Sequence, residues 1–340
     1  MQELDALVAQ AEEAIGFAES NDYSIEPSGF ADQVADEAPQ LAALLRSNAL
    51  VETARRYERN NQRAIVEQAL FKRLSNRATW SIFVATISAA AVAFVTNSNN
   101  SGGDIAITPL LLGIITLTGG AWAAWVLHRI SGGRLLEGWM RARAAAETER
   151  LGYFNRLIRI ASEQHGDNPL LLLQALEFFR RYQLSIQQRY YEARGKRHRE
   201  SFQKTVSLGS AAAFILSLFA GGGAILGAFQ SELLQFAIIG IIGTALATVA
   251  SRREELNQDE RNSERYQRTA DLLSHIHERH DDVQFAVAQG DTDVLQKYVA
   301  AVHEQLSLEH RQWLSDTEAM DETIKSLSTS LKKTGVKKAG

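Results

Sequence analysis

Cysteine is absent from this 340-residue chain. That excludes a disulfide framework, a thiolate metal site such as a zinc ribbon, and a cysteine nucleophile, and it fits a reducing compartment for the parts outside a membrane. Proline occurs only four times, and sustained apolar–polar alternation bounded by turn pairs is nearly missing, which leaves helix as the expected state almost throughout. The basic start and early apolar core of a cleavable signal peptide are lacking too: the amino terminus is acidic, and the first apolar window begins near residue 80. The first span is therefore expected to act as its own insertion signal. There is no P-loop, dinucleotide fingerprint or nucleophile elbow. "GGGAILG" has a superficial likeness to a phosphate loop but lies inside an apolar run. The motif "HIHERH" supplies His275, His277 and His280, yet it is not HExxH, and its spacing does not put all three on one helix face. No enzyme activity, cofactor or metal is expected.

What the chain does contain is concealed by a mean hydropathy of -0.17 and a net charge of -4. Charged residues crowd outside four apolar windows. Val206 to Phe229 gives 24 residues without a charge and Leu233 to Ala250 another 18, each near the roughly 20 needed to cross about 30 Å of hydrocarbon as a helix. The spans are expected at about 80–96, 105–127, 206–229 and 233–250. A buried core hairpin of a soluble protein is the alternative that their length disfavours.

Basic residues set the orientation. Lys72, Arg73 and Arg77 precede the first span, and Arg129, Arg134, Arg141 and Arg143 follow the second, while "TNSNNSGGD" between them has neither Lys nor Arg. A second collar, Arg194, Lys196, Arg197, Arg199 and Lys204 before the third span with Arg252 and Arg253 after the fourth, brackets the uncharged-to-acidic "QSE". The positive-inside rule then puts both termini and the central segment in the cytoplasm, with two short loops outside. The collar reads as topology and anionic headgroup contact rather than as a nucleic-acid surface.

The expected fold class is an all-α membrane protein, with two transmembrane helical hairpins (four spans) and long cytoplasmic helices forming a bundle. An acidic helical segment, 1–38, precedes two units of helix, hairpin and return helix at 39–165 and 166–290. "RRY" at Arg55–Tyr57 recurs at Arg180–Tyr182, an offset of 125, which suggests an internal repeat or a coincidence in arginine-rich helix. Pro39 is expected to open a helix that runs unbroken to the first span, and Asp167 or Asn168 to cap its counterpart at Pro169. Residues 1 to 60 carry 12 acidic and 4 basic side chains, a solvated face or a docking surface. A C-terminal amphipathic helix, 291–326, spaces Leu295, Val299, Val302, Leu306 and Trp313 into one apolar stripe that must pack on something. A basic tail, 327–340, is expected to be disordered.

The spans hold no ionisable residue in their interiors, which argues against a proton-coupled transporter or voltage sensor. Small residues recur instead. Ser210, Ser217 and Gly221 share one row, Gly223 and Gly227 form a GxxxG, and Gly240, Thr244 and Thr248 recur at i+4. Such rows allow close helix contact within a subunit, at a subunit interface or along a pore wall.

The order "ERYQRTADLLSHI" then "FAVAQGDTDVLQKYVAAVHEQLSLEHRQWL" resembles the SLATT family, the SMODS- and SLOG-associating two-span effectors of bacteria, with "LSLEHRQWL" as its closing stretch. The resemblance covers roughly residues 200 to 318, and "AAAETERLGYFNRLI" looks like part of a divergent first copy, so the chain resembles a tandem, four-span version. This implies a membrane effector of antiphage defence: a homo-oligomer in the lipid bilayer that forms a pore or disrupts the membrane after a signal from an upstream sensor or nucleotide second messenger. It implies no catalytic residues. A non-conducting scaffold for cytoplasmic partners and a constitutive small-solute channel are the rival readings.

The topology predicts that cysteine introduced at Asn99 or Ser231 reacts with a membrane-impermeant reagent added from outside, whereas cysteine at Ser201 or Ser328 does not. Labelling of both classes from one side would overturn it.

Overall fold

A computed structural model describes residues 2–16, 25–98, 107–132, 135–166, 168–227, 258–312 and 315. All regular structure among them is helical. In chain order the elements are α1 (Gln2–Ile15), α2 (Pro27–Gln33), α3 (Pro39–Leu45), α4 (Asn48–Ser98), α5 (Ile107–Gly132), α6 (Leu135–Gln164), α7 (Pro169–Phe179), a π-helical segment (Arg180–Ser185), α8 (Ile186–Gly227), α9 (Asp259–His277), α10 (His280–Ala288) and α11 over residues 292–312. They divide into two compact units, the first of 1–66, 137–197 and 262–316, the second of 67–136, 198–261 and 317–340.

Several boundaries follow from local chemistry. Asn168 accepts a hydrogen bond from the Leu170 amide at 3.0 Å, and Pro169 follows at the first helical position, so α7 opens on the expected cap. Gly16 closes α1 with φ +67°, a left-handed conformation that suits glycine. The single helix expected from Pro39 into the first span is corrected: it breaks at Arg46 and Ser47, and the Ser47 carbonyl accepts the first amides of α4, from Leu50 and Val51. Arg46 leaves the helix to pair with Asp32 at 2.7 Å. Gly195 does not interrupt α8. It is the point of close approach to α9, where an added Cβ would lie 3.4 Å from the Gln267 amide nitrogen and 3.5 Å from the Ser263 carbonyl oxygen. The interruption falls earlier, at the π segment, where the amide ladder widens by one residue.

The first unit has a continuous apolar core. Tyr153, Phe154, Phe178 and Phe179 are fully buried at its centre, with Phe154 edge-on to Tyr153 and Phe179. Every residue of α7 from Leu171 to Phe179 is buried, so this helix is the axis on which the others pack. The apolar stripe of α11 lies in this core as Leu295, Val299, Val302 and Leu306, while Trp313 lies outside the described residues. The acidic α1 is also built in. Its Ala11, Ala14 and Ile15 join the core, and it packs on α7 and α10. Its acidic side chains thus mark a docked helix.

Polar groups are buried among these apolar ones. Glu177 of α7, with no exposed surface, accepts from His280 Nε2 at 2.6 Å and Gln284 Nε2 at 2.7 Å on one oxygen, and from Arg180 Nε at 2.6 Å on the other. Gln284 Nε2 also donates to Glu12 of α1 at 2.9 Å. Burial opposes the Glu177 charge, but His280 and Arg180 hold its carboxyl below the usual range. On α6, Glu147 pairs with Arg143 at 2.6 Å and Arg150 at 2.5 Å. Tyr191 donates to Glu309 at 3.0 Å, and burial raises the Glu309 carboxyl.

His303 is buried with both ring nitrogens lacking a hydrogen-bond partner in the protein. Burial, and secondarily Arg150, push its pKa down to about 4. The unfolded chain binds this proton below about 6.5 and the folded chain only below about 4, so stability should fall as pH falls through that window, by up to about 3 kcal/mol. His277 and His310, also lowered, act in the same direction. We expect His303→Leu to flatten the loss of thermal midpoint between pH 6.5 and 4; an unaltered slope would count against the assignment.

Candidate membrane region

The second unit differs from the first, because much of its large apolar surface stays exposed and its helices meet through rows that include small residues. In α5 the covered positions include the row Pro109, Leu112, Thr116, Gly119, Ala123, Val126 and Ile130, at successive intervals of three and four. In α4 they include Phe71, Leu74, Ala78, Ser81, Ala85 and Ser88, at the same spacing, continued by Val92 and Val95, with Ala90 buried beside them. Both rows have the heptad spacing of a left-handed helix pair. They meet where an added Cβ on Gly119 would lie 3.3 Å from Ala85 Cβ and 3.3 Å from the Ser81 carbonyl. Ala85 stands 13 residues before the end of α4 and Gly119 stands 12 after the start of α5, the placement of an antiparallel hairpin.

The opposite faces carry Trp80, Ile82 and Val84 on α4, and Leu110, Leu111, Ile114 and Leu117 on α5, all exposed. Two stretches, one within Ile107–Gln164 and one within Pro169–Phe219, are long and apolar enough to cross a membrane, and only 12% and 6% of their apolar windows is buried. A core helix of a soluble protein would be mostly covered. Hydroxyls on these helices are satisfied locally: Thr79, Ser81, Thr86, Thr116, Thr118 and Ser217 each donate to the carbonyl four residues back, at 2.7–3.0 Å. Helices surrounded by hydrocarbon need that arrangement, since no water is there to accept.

Aromatic rings gather at one end of the hairpin. Trp122 and Trp125 stack with centroids 5.0 Å apart, and Arg129 lies over Trp125 at 6.0 Å. Trp80, edge-on to Phe83 at 5.6 Å, begins the apolar part of α4 one residue before Ser81, which meets Gly119. From Trp80 to Ser98 and from Ile107 to Trp125 there are 18 residue steps each, about 27 Å of helix.

Next to the third apolar window, Asp259 at the start of α9 accepts from Ser201 Oγ at 2.6 Å and meets His198 Nδ1 at 2.6 Å. This clasp joins α8 to α9. It is not a serine hydrolase constellation, because the Ser201 hydroxyl is directed to the carboxylate and not to the imidazole.

The residues singled out in the sequence are distributed as follows. Ser210, Ser217 and Gly221 are exposed on α8, and nothing lies within 4 Å of a Cβ added at Gly221. Gly223 and Gly227 continue that helix. Gly240, Thr244, Thr248, Arg252 and Arg253, with the whole fourth window, lie outside the described residues. Arg194, Lys196, Arg197, Arg199 and Lys204 are exposed, and Arg194 sits 5.3 Å over the Tyr190 ring. The three histidines of "HIHERH" diverge: His275 faces Glu278, His277 meets Gln188, and His280 is buried on Glu177. Among the described residues no group of three or more His, Cys, Asp or Glu could hold a metal ion. Gly119, the contact glycine, lies in the first hairpin, outside the small-residue rows of the second, and its signal in the sequence is the interval of three and four around it.

Residues 180–313 match the family model described as SMODS and SLOG-associating 2TM effector domain 1, the family whose resemblance the C-terminal motifs carry. The match begins at the first residue of the π segment and includes the second hairpin window. No curated protein and no solved structure matches the chain.

Gly119→Leu should separate the two rows of the first hairpin. A cysteine pair placed at Ala85 and Gly119, whose Cβ atoms would lie 3.3 Å apart, should oxidise readily, whereas a pair at Ala85 and Gly120 should not. Equal cross-linking would refute the contact.

Proposed function

We propose that this protein is a bacterial inner-membrane effector of antiphage defence, with four spans and both termini in the cytoplasm, which oligomerises and permeabilises the membrane after an upstream signal. The observation that carries this reading is the uncovered apolar surface of α4, α5 and α8 beside buried small-residue rows. Hydrocarbon is the solvent that such helices require. Trp80, Trp122 and Trp125 belong at the cytoplasmic interface, where aromatic rings anchor spans. The basic residues flanking each window support the same orientation. The match to a two-transmembrane effector domain supports the effector role.

The spans lack internal charge, so a single subunit presents a low-dielectric barrier to ions. Conduction therefore requires several subunits to arrange spans around water or to thin the bilayer. The exposed row Ser210, Ser217 and Gly221 offers a polar, small face for that arrangement, and anionic headgroups are the partners of the collar from Arg194 to Lys204. A signal acts by preferring the open arrangement; moving the population from 1:99 to 99:1 takes about 5.5 kcal/mol of preference.

Overproduction in bacterial cells should collapse the membrane potential before lysis, and the full-length protein in liposomes should release a small dye. Ser217→Leu, which should leave the bundle intact, should reduce release severalfold. Unchanged polarisation with the protein confirmed in the membrane would leave a non-conducting scaffold as the reading.

A further inference from the structure

The π segment Arg180–Ser185 stands between two differently anchored helices. On its N-terminal side everything is pinned. Arg180 is held by Glu177, and the Tyr182 ring lies 4.3 Å from Phe30 and 4.6 Å from Phe178, with its hydroxyl donating to Gln33 Oε1 at 3.2 Å. On its C-terminal side the next polar ties of α8 to other helices are Gln188 with His277 at 3.2 Å and Tyr191 with Glu309. Between these anchors sits Gln183. It is fully buried, and neither its amide nitrogen nor its amide oxygen has a hydrogen-bond partner in the protein. One turn back, Phe179 packs edge-on against His303, at 5.7 Å between centroids, and His303 lacks partners as well.

A π turn holds one residue more than the α-helix around it, and it tends to persist at working positions because the widened ladder is less stable than a regular one. A buried amide without partners adds a further cost, so this register is poised. We propose that the segment is a register joint: the inserted residue can migrate from Arg180–Ser185 into α8, turning each residue that it passes by about 100° and advancing it by about 1.5 Å. α8 is one helix from Ile186 to Gly227, so an inserted residue that travels along it turns the approach to the third apolar window only as far as it travels, while α7 stays fixed on Glu177 and the helix beyond keeps its phase. The first residue matched by the effector-family model is the first residue of the joint. The role in permeabilisation rests on the function proposed above; the mobility of the joint does not.

Two variants of the full chain separate these points. Deleting Gln183 removes the inserted residue and leaves both flanks in their present phase as one regular helix, whereas Gln183→Leu keeps the length and removes the unpartnered amide. Hydrogen exchange in detergent should show the amides of 181–188 opening at least about tenfold faster than those of α7 and of 191–198 in the parent, and at the rate of those flanks in the deletion. Gln183→Leu should lie between and raise the thermal midpoint, and it keeps the test decisive if the deletion fails to fold. Equal exchange along the parent helix would overturn the joint. If exchange behaves as expected but both variants release dye from liposomes like the parent, the joint does not drive permeabilisation and that part of the proposal falls. A parent that releases no dye defeats the membrane reading instead, and the exchange comparison still decides the joint.

Discussion

One carboxylate organises the first unit. Glu177 is buried without exposed surface, yet it remains ionised because Arg180, His280 and Gln284 occupy both its oxygens. An uncompensated charge at that depth would be far more costly than the hydrogen bonds it makes are favourable. The partners come from the π segment and from α10, and Gln284 passes the connection on to Glu12 of α1. Three pieces of chain distant in sequence, α1, α7 with its π segment, and α10, are thereby placed in one register. The apolar core supplies the bulk of the stability, but apolar contacts are non-directional and tolerate sliding. The carboxylate does not, and it is why α1 and α10 dock where they do.

The second unit lives under a different solvent rule. Water rewards covering large apolar side chains, whereas in hydrocarbon helices associate through close fit of small ones. Gly119 against Ala85 and Ser81 fulfils that condition, and Leu110, Leu117 and Phe214 remain uncovered without penalty. The hydroxyls bonded back along their own helices complete the pattern. No polar atom of those side chains has to find a partner outside its helix.

The sequence already carried the all-helical class, the apolar windows, the cap at Asn168 and the apolar stripe of α11, because each rests on local pattern or length. Three features were not legible. The break at Arg46–Ser47 is marked by no glycine or proline, and the Arg46–Asp32 pair beside it joins positions 14 apart. The π segment hides in "RRYQLS", which has no breaker; its extra residue shows only when the phases of α7 and α8 are compared in space. The Glu177 network joins residues more than a hundred positions apart, and in one dimension His280 reads as part of a histidine cluster instead. The small-residue rows illustrate a mixed outcome. The small-residue row of α8 is exposed, and the close contact that the structure describes lies between α4 and α5, at Gly119.

The hydrogen bond from Gln284 to Glu12 spans 272 positions of sequence, and this separation has a consequence for biogenesis. The first helix leaves the ribosome early, but its docking site on α10 does not exist until residue 284 has been added. At about 5–20 residues per second, that is a delay of roughly 14–54 s. During it every apolar window of the chain is made. The acidic N-terminal helix can meet α7 early but gains its second partner only with α10, so chain order alone puts completion of this bundle after synthesis of the apolar windows.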